Sequence, residues 1–301
     1  MNQWLGAKVQ TWPGCCFFNA VATEGVAHQL QRGTRMKFRL SVGALAVFAL
    51  ASSAQAAGFI NGGFEDGNTN GWTLGGGYRG SMLNNNANFN PAYFLPGGGG
   101  YNAGIANSHS AVIGTGYVDP NVGAALGSTV YSGNYAMRIE DTTWGGYASV
   151  LTQTVSNYTD DSIYFAWKAV MLGAHGLNDA ATMVITLTDL TQGDEVIRRE
   201  YNAASGGGGV DARFSLLNNN YYTPDWQIEQ LSIDASRSGH DFVLSVLAAD
   251  CQPTGHWGYV YLDGFGAVTP PPGDVPEPAG LALAGLALAA AAAARRRKQR
   301  G

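Results

Sequence analysis

Between Ala57 and Val268 the chain is cut into short apolar runs, each ended by Gly, Asn or Asp, and this punctuation limits the fold more than any other feature. Tyr135–Glu140 alternates apolar and mostly polar residues, as a half-buried strand does. Thr182–Asp189 alternates in the same way through Met183, Ile185 and Leu187. Ser162–Leu172 is almost continuously apolar or aromatic, the pattern of a strand covered on both faces. Ala148–Val155, Glu195–Tyr201, Trp226–Ile233, Phe242–Ala248 and Gly258–Val268 complete the set. No segment carries a 3.6-residue apolar stripe with caps. Short strands joined by turn residues predict an all-β fold, a β-sandwich of residues 57–268.

Two stretches break the rhythm. Gly75–Gly127 holds Asn84-Asn85-Asn86, a glycine run at 97–100 and scattered aromatics; Ala203–Tyr222 holds a glycine run at 206–209 and Asn218-Asn219-Asn220. Both read as long loops, the first with a short strand near Ala111-Val112-Ile113. Gly75-Gly76-Gly77-Tyr78-Arg79-Gly80 spells GxGxxG, but no helical pattern follows it, so it does not read as a nucleotide fingerprint.

The two ends read as targeting segments. Met36-Lys37-Phe38-Arg39 is a basic start, Leu40–Leu50 an apolar run, and Ala54-Gln55-Ala56 a small-x-small cleavage pattern. Residues 36–56 are therefore expected to be a signal peptide, removed by a signal peptidase. Residues 1–35 are expected to be an extension upstream of the true initiator Met36. At the other end, residues 269–274 form a Pro-rich spacer. Val275-Pro276-Glu277-Pro278 follows, then sixteen small or apolar residues, Ala279–Ala294, then Arg295-Arg296-Arg297-Lys298-Gln299-Arg300-Gly301. As a helix those sixteen residues reach ~24 Å, short of the ~30 Å hydrocarbon core, so the segment is a marginal span with its arginines on the cytoplasmic side. This order of parts resembles the PEP-CTERM sorting signal. The resemblance implies recognition by an exosortase, a membrane-anchored intermediate, and a final place at the surface or in the extracellular matrix of a Gram-negative bacterium, with an association with exopolysaccharide and biofilm.

The formal charge of −5 conceals an asymmetry: residues 57–274 carry seven Lys and Arg against twenty Asp and Glu, a net of −13, with Lys168 the single lysine. Such a domain does not suit a phosphate backbone, and nucleic-acid binding is not expected. Of three cysteines only Cys251 follows the signal peptide, so that part of the chain can close no internal disulfide and has no CxxC pair.

A second resemblance runs through the domain. Phe59-Ile60-Asn61-Gly62-Gly63-Phe64-Glu65, then Gly71-Trp72, then Gly133-Asn134-Tyr135-Ala136-Met137-Arg138-Ile139, Leu151-Thr152-Gln153-Thr154-Val155 and finally Gly258-Tyr259-Val260-Tyr261-Leu262-Asp263 follow one another in the order found in galactose-binding-like jelly rolls, notably carbohydrate-binding modules. The resemblance implies a jelly-roll β-sandwich and a structural Ca²⁺ held by Glu65 and Asp263, between the first and last strands. Hard oxygen ligands suit that ion; the plainer reading is that Glu65 caps a turn and Asp263 binds backbone amides.

A glycan site needs exposed aromatic faces beside polar side chains. Trp144 and Tyr147, which flank Gly145-Gly146, are the first candidates, and Tyr221 with Tyr222 the second. Trp72, Trp167 and Trp226 read as core. Cys251 and His256 could share a metal or form a nucleophile pair, but no third partner has usable spacing, so a turn with a buried cysteine is the expected reading. No catalytic set is visible; adjacent Asp160 and Asp161 say nothing about the separation a glycosidase needs. The function expected is an exported, non-enzymatic surface or matrix protein that binds extracellular polysaccharide. A matrix component without a ligand is the alternative, and a secreted polysaccharide-degrading enzyme a third.

Overall fold

The computed structural model describes residues 58–204, 210–252 and 255–268. The extension, the signal peptide, the Pro-rich spacer, the sorting segment and the glycine run at 206–209 lie outside the described residues. Among those described, no helix is long and apolar enough to cross a membrane.

The fold is nearly all β: two antiparallel sheets packed face to face. The first sheet holds β1 (Thr73–Tyr78), β4 (Tyr147–Tyr158), β11 (His240–Ala249), β6 (Thr182–Asp189) and β7 (Asp194–Asn202), in that spatial order. The second holds β2 (Ala111–Gly114), β3 (Tyr135–Ile139), β12 (Gly258–Asp263) and β5 (Ser162–Met171). The far edge of β5 is shared end to end by β9 (Asn220–Tyr222), which pairs with β8 (Ser215–Leu217), and by β10 (Gln227–Ser232). The chain crosses between sheets after β1, β3, β4, β5, β7, β10 and β11. That winding gives the jelly roll.

Alternation sets the inner core. Ile163, Phe165, Trp167, Ala169 and Met171 of β5 face Met183, Ile185 and Leu187 of β6 and Phe242, Leu244, Val246 and Ala248 of β11, all buried. The intervening positions are buried too, because each sheet has a cover on its outer face. Over the first sheet, Phe89 and Phe94 pack on Ala148, Val150, Val184, Leu247 and Ala249. Over the second, Val122, Leu126 and Val130 pack on Ala136, Val170, Tyr259 and Tyr261. Both covers come from the chain between β1 and β3, all but Val130 from the stretch the sequence presents as a long loop. Asp119 fastens the second: its carboxylate accepts from Tyr259 Oη (2.8 Å) and Tyr261 Oη (2.7 Å), and also from the backbone N–H of Asn121 and Val122. Lys168, the domain's lone lysine, is buried under the same cover and donates to the Leu126 carbonyl oxygen.

The structure corrects the reading of Gly75–Gly127 as a loop. Residues 75–78 belong to β1, and two helical turns follow, α1 (Pro91–Phe94) and α2 (Ala103–Ser108), started by the side-chain caps of Asn90 and Asn102. The glycines hide the strand because their task is closeness, not flexibility. A Cβ on Gly77 would sit 1.9 Å from the Gly100 carbonyl oxygen, and one on Gly76 2.8 Å from the Ala106 nitrogen. A flat strand lets the cover lie directly on its backbone. Ala203–Tyr222 likewise contains β8 and β9. The last strand stops at Asp263, short of the expected Val268, because Gly264 and Gly266 take positive φ (69° and 72°) in the turn that follows.

Gly77→Ala must push the cover off β1 and is expected to cost ~1–3 kcal/mol, read as a lower urea midpoint. Gly58→Ala, whose Cβ meets nothing within 4 Å, should leave the midpoint unchanged; equal effects of the two substitutions would refute the close-approach account.

Candidate functional site

Antiparallel pairing brings the loops that carry the aromatic candidates to one end of the sandwich. Ala148 at the start of β4 pairs with Ala249 at the end of β11, Thr182 at the start of β6 pairs with the same Ala249, and Gly258 at the start of β12 pairs with Met171 at the end of β5, which also pairs with Tyr221. The loops 140–146, 172–181, 218–219 and 250–257 therefore share an edge.

On this edge Trp144 is 64 % exposed and stacks on the half-buried Trp257, with ring centroids 6.2 Å apart and planes inclined by 23°. Trp257 is held in turn: its indole N–H donates to Asn220 Oδ1 (2.8 Å), and its ring packs against the cluster of Tyr259 and Tyr261. Asn220 precedes Tyr221, a half-buried side chain that lines an adjoining cavity of about 660 Å³ together with Asn219, Leu216, His175 and His256. One member of each aromatic pair that the sequence offers, Trp144 and Tyr221, is thus linked through Trp257, which sequence reasoning missed. Its place just ahead of the last strand was the available signal.

The other candidates divide. Tyr147, at the start of β4, is half-buried between the rings of His109 (4.7 Å) and Tyr78 (5.7 Å), behind the platform and not upon it. Tyr222 is a correction: one step along β9 from Tyr221, alternation turns it into the second cluster beside Val170, where it is buried and has no face for a ligand. Trp72 and Trp167 are core, as expected. Trp226 is only half-buried, edge-on to Tyr131 and within 5.7 Å of the Lys168 ammonium. Asp160 and Asp161 lie in the β4–β5 turn at the opposite end of the sandwich.

Three buried polar groups hold the edge in shape. Arg79 donates to the carbonyl oxygens of Met82, Ala180 and Asp250 and to the Asn84 side chain, lies against the Phe89 ring, and is pushed down to about 10 by burial. Asp250 accepts from the N–H of Tyr147 and of Gly258, tying β4 to β12, and burial with Glu140 nearby keeps its carboxyl well above the usual range. Glu140, in the left-handed region at φ 64°, accepts from Ser149 Oγ and the Asp141 N–H and meets His109 Nδ1 at 2.5 Å. Burial raises Glu140, and its hydrogen bond raises His109 above the ordinary histidine value.

Cys251 is buried in the β11–β12 loop, its N–H bonded to the His256 carbonyl oxygen (2.9 Å), as a tied turn predicts. The expectation that no third partner reaches it does not hold: the β5–β6 loop brings His175 alongside.

At the far end of β12, roughly 17 Å away at ~3.3 Å per residue, Asp263 and Glu65 both reach the segment before β3. Asp263 Oδ2 accepts from the N–H of Tyr131 (2.9 Å) and Ser132 (3.0 Å); Glu65 accepts from those of Asn134 and Tyr135. Asp263 Oδ1 is buried without a partner, and burial first, then the charge of Glu65, contribute to raising Asp263 to about 6. An orphaned carboxylate oxygen beside a second carboxylate fits a hard cation, while the amide bonds match the plainer reading as well.

Residues 274–298 match the PEP-CTERM protein-sorting motif. The PEP-CTERM match covers only the tail, and no curated protein matches the chain. Among solved structures, the carbohydrate-binding module TmCBM61 in complex with beta-1,4-galactotriose is similar at 12 % identity and a TM-score of 0.35, over 69 % of this chain and 95 % of that one. CBM28, a module specific for non-crystalline cellulose, is similar at 14 % identity and 0.35, over 70 % and 94 %. A Stig cyclase from Fischerella sp. TAU is similar at 14 % identity and 0.33, over 71 % and 96 %. At these values the likeness says nothing about ligands.

The raised His109 adds stability that is complete below the unfolded histidine value of about 6.5 and is lost as pH rises through the higher folded value. Unfolding midpoints of the protein should therefore decline above about pH 6.5, and His109→Gln should flatten that decline. Identical pH profiles would show that the Glu140 pair contributes nothing.

Proposed function

We propose that this is an exported, non-catalytic glycan-binding protein of the bacterial envelope, delivered to an exosortase by its PEP-CTERM segment through a membrane-anchored intermediate and released to the cell surface or extracellular matrix. The PEP-CTERM match supports the sorting half of this reading. The observation that carries the binding half is the Trp144–Trp257 stack beside an open cavity. An indole left nearly two-thirds exposed, yet held parallel to an anchored neighbour, offers a flat apolar face at little entropic cost, and the C–H face of a sugar ring matches it. Asn219 and Tyr221, in the lining of the cavity, supply polar groups to read hydroxyls. Among the described residues the cavity lining contains no Asp or Glu, and glycoside hydrolysis needs two, which favours binding over cleavage. Extracellular polysaccharide is the ligand class proposed.

Binding of the producing organism's exopolysaccharide, followed by calorimetry or on a glycan array, is expected to weaken about 10- to 30-fold in Trp144→Ala, the effect of losing an aromatic hot spot worth ~1.4–2 kcal/mol. Unfolding should be unaffected, because the side chain lies on the surface. Absence of glycan binding, or binding indifferent to the substitution, would overturn the reading.

Calcium at Glu65 and Asp263 belongs to the same proposal, as a clamp between the two ends of a domain with no internal disulfide. Bound ion would supply the partner that Asp263 Oδ1 lacks. Calcium at a hundredfold excess over Kd should then stabilise by ~2.7 kcal/mol, a rise in Tm of roughly 5–10 °C for a domain of this size. Asp263→Asn should abolish the rise. A melting curve indifferent to calcium and to EGTA would leave the two carboxylates as amide acceptors only.

A further inference from the structure

The loop edge contains a second constellation, independent of the aromatic stack. Cys251 Sγ lies 3.1 Å from His256 Nδ1 and 3.5 Å from His175 Nδ1. The two imidazole centroids are 4.5 Å apart, and one donor atom from each of the three residues falls within 4.8 Å of the others. We propose that Cys251, His175 and His256 bind a late first-row transition metal of the Zn²⁺ type, with the fourth position left to water and Asp179 as the nearby counter-charge.

Geometry is the first support. A sulfur ~2.3 Å and a nitrogen ~2.0–2.1 Å from a tetrahedral centre are about 3.5 Å from each other. The two Sγ–Nδ1 separations are of that size before any ion is considered. Donor chemistry is the second. One thiolate and two imidazoles suit Zn²⁺ and its neighbours and are poor ligands for calcium or magnesium, so this site and the Glu65–Asp263 site would not compete for one ion.

Asp179 is an independent pointer. Its Oδ1 is buried with no hydrogen-bond partner, and its charge acts on both Cys251 and His256. A buried, unpaired carboxylate oxygen needs a cation or a donor, and the structure gives it neither. Two further charged groups act on Cys251: the neighbouring Asp250 carboxyl, and Arg79, whose guanidinium is taken up by carbonyl oxygens and Asn84.

The competing chemistry is a thiolate–imidazolium nucleophile pair. Cys251 is fully buried, so its sulfur presents no face to an incoming electrophile. Neutral imidazoles are what a metal requires, and a bound ion deprotonates the thiol, releasing its proton to solvent. The consequence is mechanical and local. His175 stands on the β5–β6 loop, which closes through Ala181 N–H to Gly173 O (3.1 Å), whereas Cys251 and His256 stand on the β11–β12 loop. The ion would bolt the two loops together and fix the wall of the cavity that His175 and His256 line.

The test is titration of chelator-stripped full-length protein with Co²⁺, followed by displacement with Zn²⁺. The expected result is uptake of one equivalent, with a sulfur-to-cobalt charge-transfer band and the strong visible bands of four-coordinate cobalt, both bleached by Zn²⁺. Cys251→Ser should remove the charge-transfer band. Loss of a second-sphere partner alone costs ~10–100-fold in metal affinity, so His175→Gln is expected to cost at least about 100-fold. His175 is exposed, and this variant keeps the test open if Cys251→Ser does not fold. Asp263→Asn should leave the cobalt spectrum unchanged. No uptake, or a spectrum unaltered by His175→Gln, would overturn the site and leave a hydrogen-bonded loop in which His175 Nδ1 donates to the Gln252 carbonyl oxygen 3.1 Å away.

Discussion

The central strands of both sheets are buried on both faces, and the rest of the molecule follows from that. A sandwich hides only the inner face of each sheet. The outer faces, with Val150, Val184 and Leu247 on one side and Val170, Tyr259 and Tyr261 on the other, would meet water as continuous apolar patches without a further layer. The chain supplies that layer from a single insertion between β1 and β3, first over one sheet and then over the other. Its attachment is polar as well as apolar: two tyrosine hydroxyls share one Asp119 oxygen, and the Arg79 guanidinium is shared among carbonyl groups. Each group is buried and each is satisfied, so the cover has little freedom to lift.

Covering the central strands leaves the loop ends more open than the sheet centres. Tyr78 and Trp144 are exposed at the edge where β4, β6 and β12 begin and β5 and β11 finish, and Tyr131 and Tyr135 toward the other end. The edge is stiff because Asp250 and Glu140 accept hydrogen bonds from the strands that frame it. The opposite end is where the N-terminal segment and the turn after β12 meet: Phe64, Trp72 and Phe265 pack together, and Glu65 and Asp263 brace one segment from two sides. The proposed glycan face lies at one end and the closure of the domain at the other, in a chain with no internal disulfide in this domain.

Much of this was legible in the residues. The strands Tyr135–Ile139, Thr182–Asp189 and Ser162–Met171 fall where alternation and apolar runs place them. The reading of the last of these as covered on both faces was correct, though nothing identified the cover. Where the reading failed, one residue type had two uses. Gly75, Gly76 and Gly77 look like loop glycines and are strand glycines, because a pattern of letters cannot tell flexibility from close approach. Tyr221 and Tyr222 look like one aromatic pair, but a strand turns neighbours to opposite faces, and only Tyr221 reaches the cavity. The helical turns at Pro91–Phe94 and Ala103–Ser108 are too short to carry a periodic signal, although their Asn caps were there to be read.

By itself the sequence determined the class of fold, the acidic character of the domain, and a C-terminal tail built of Pro-Glu-Pro, a short apolar run and arginines. These are local properties: period, charge and the order of neighbouring segments survive in one dimension. The meetings were decided only in three dimensions. Trp144 stacks on Trp257, more than a hundred residues further on, and His175 reaches Cys251 across 76 positions. Strand pairing fixed both contacts, because it sets which loop ends share an edge, and pairing depends on the register of whole strands and not on the residues that finally touch.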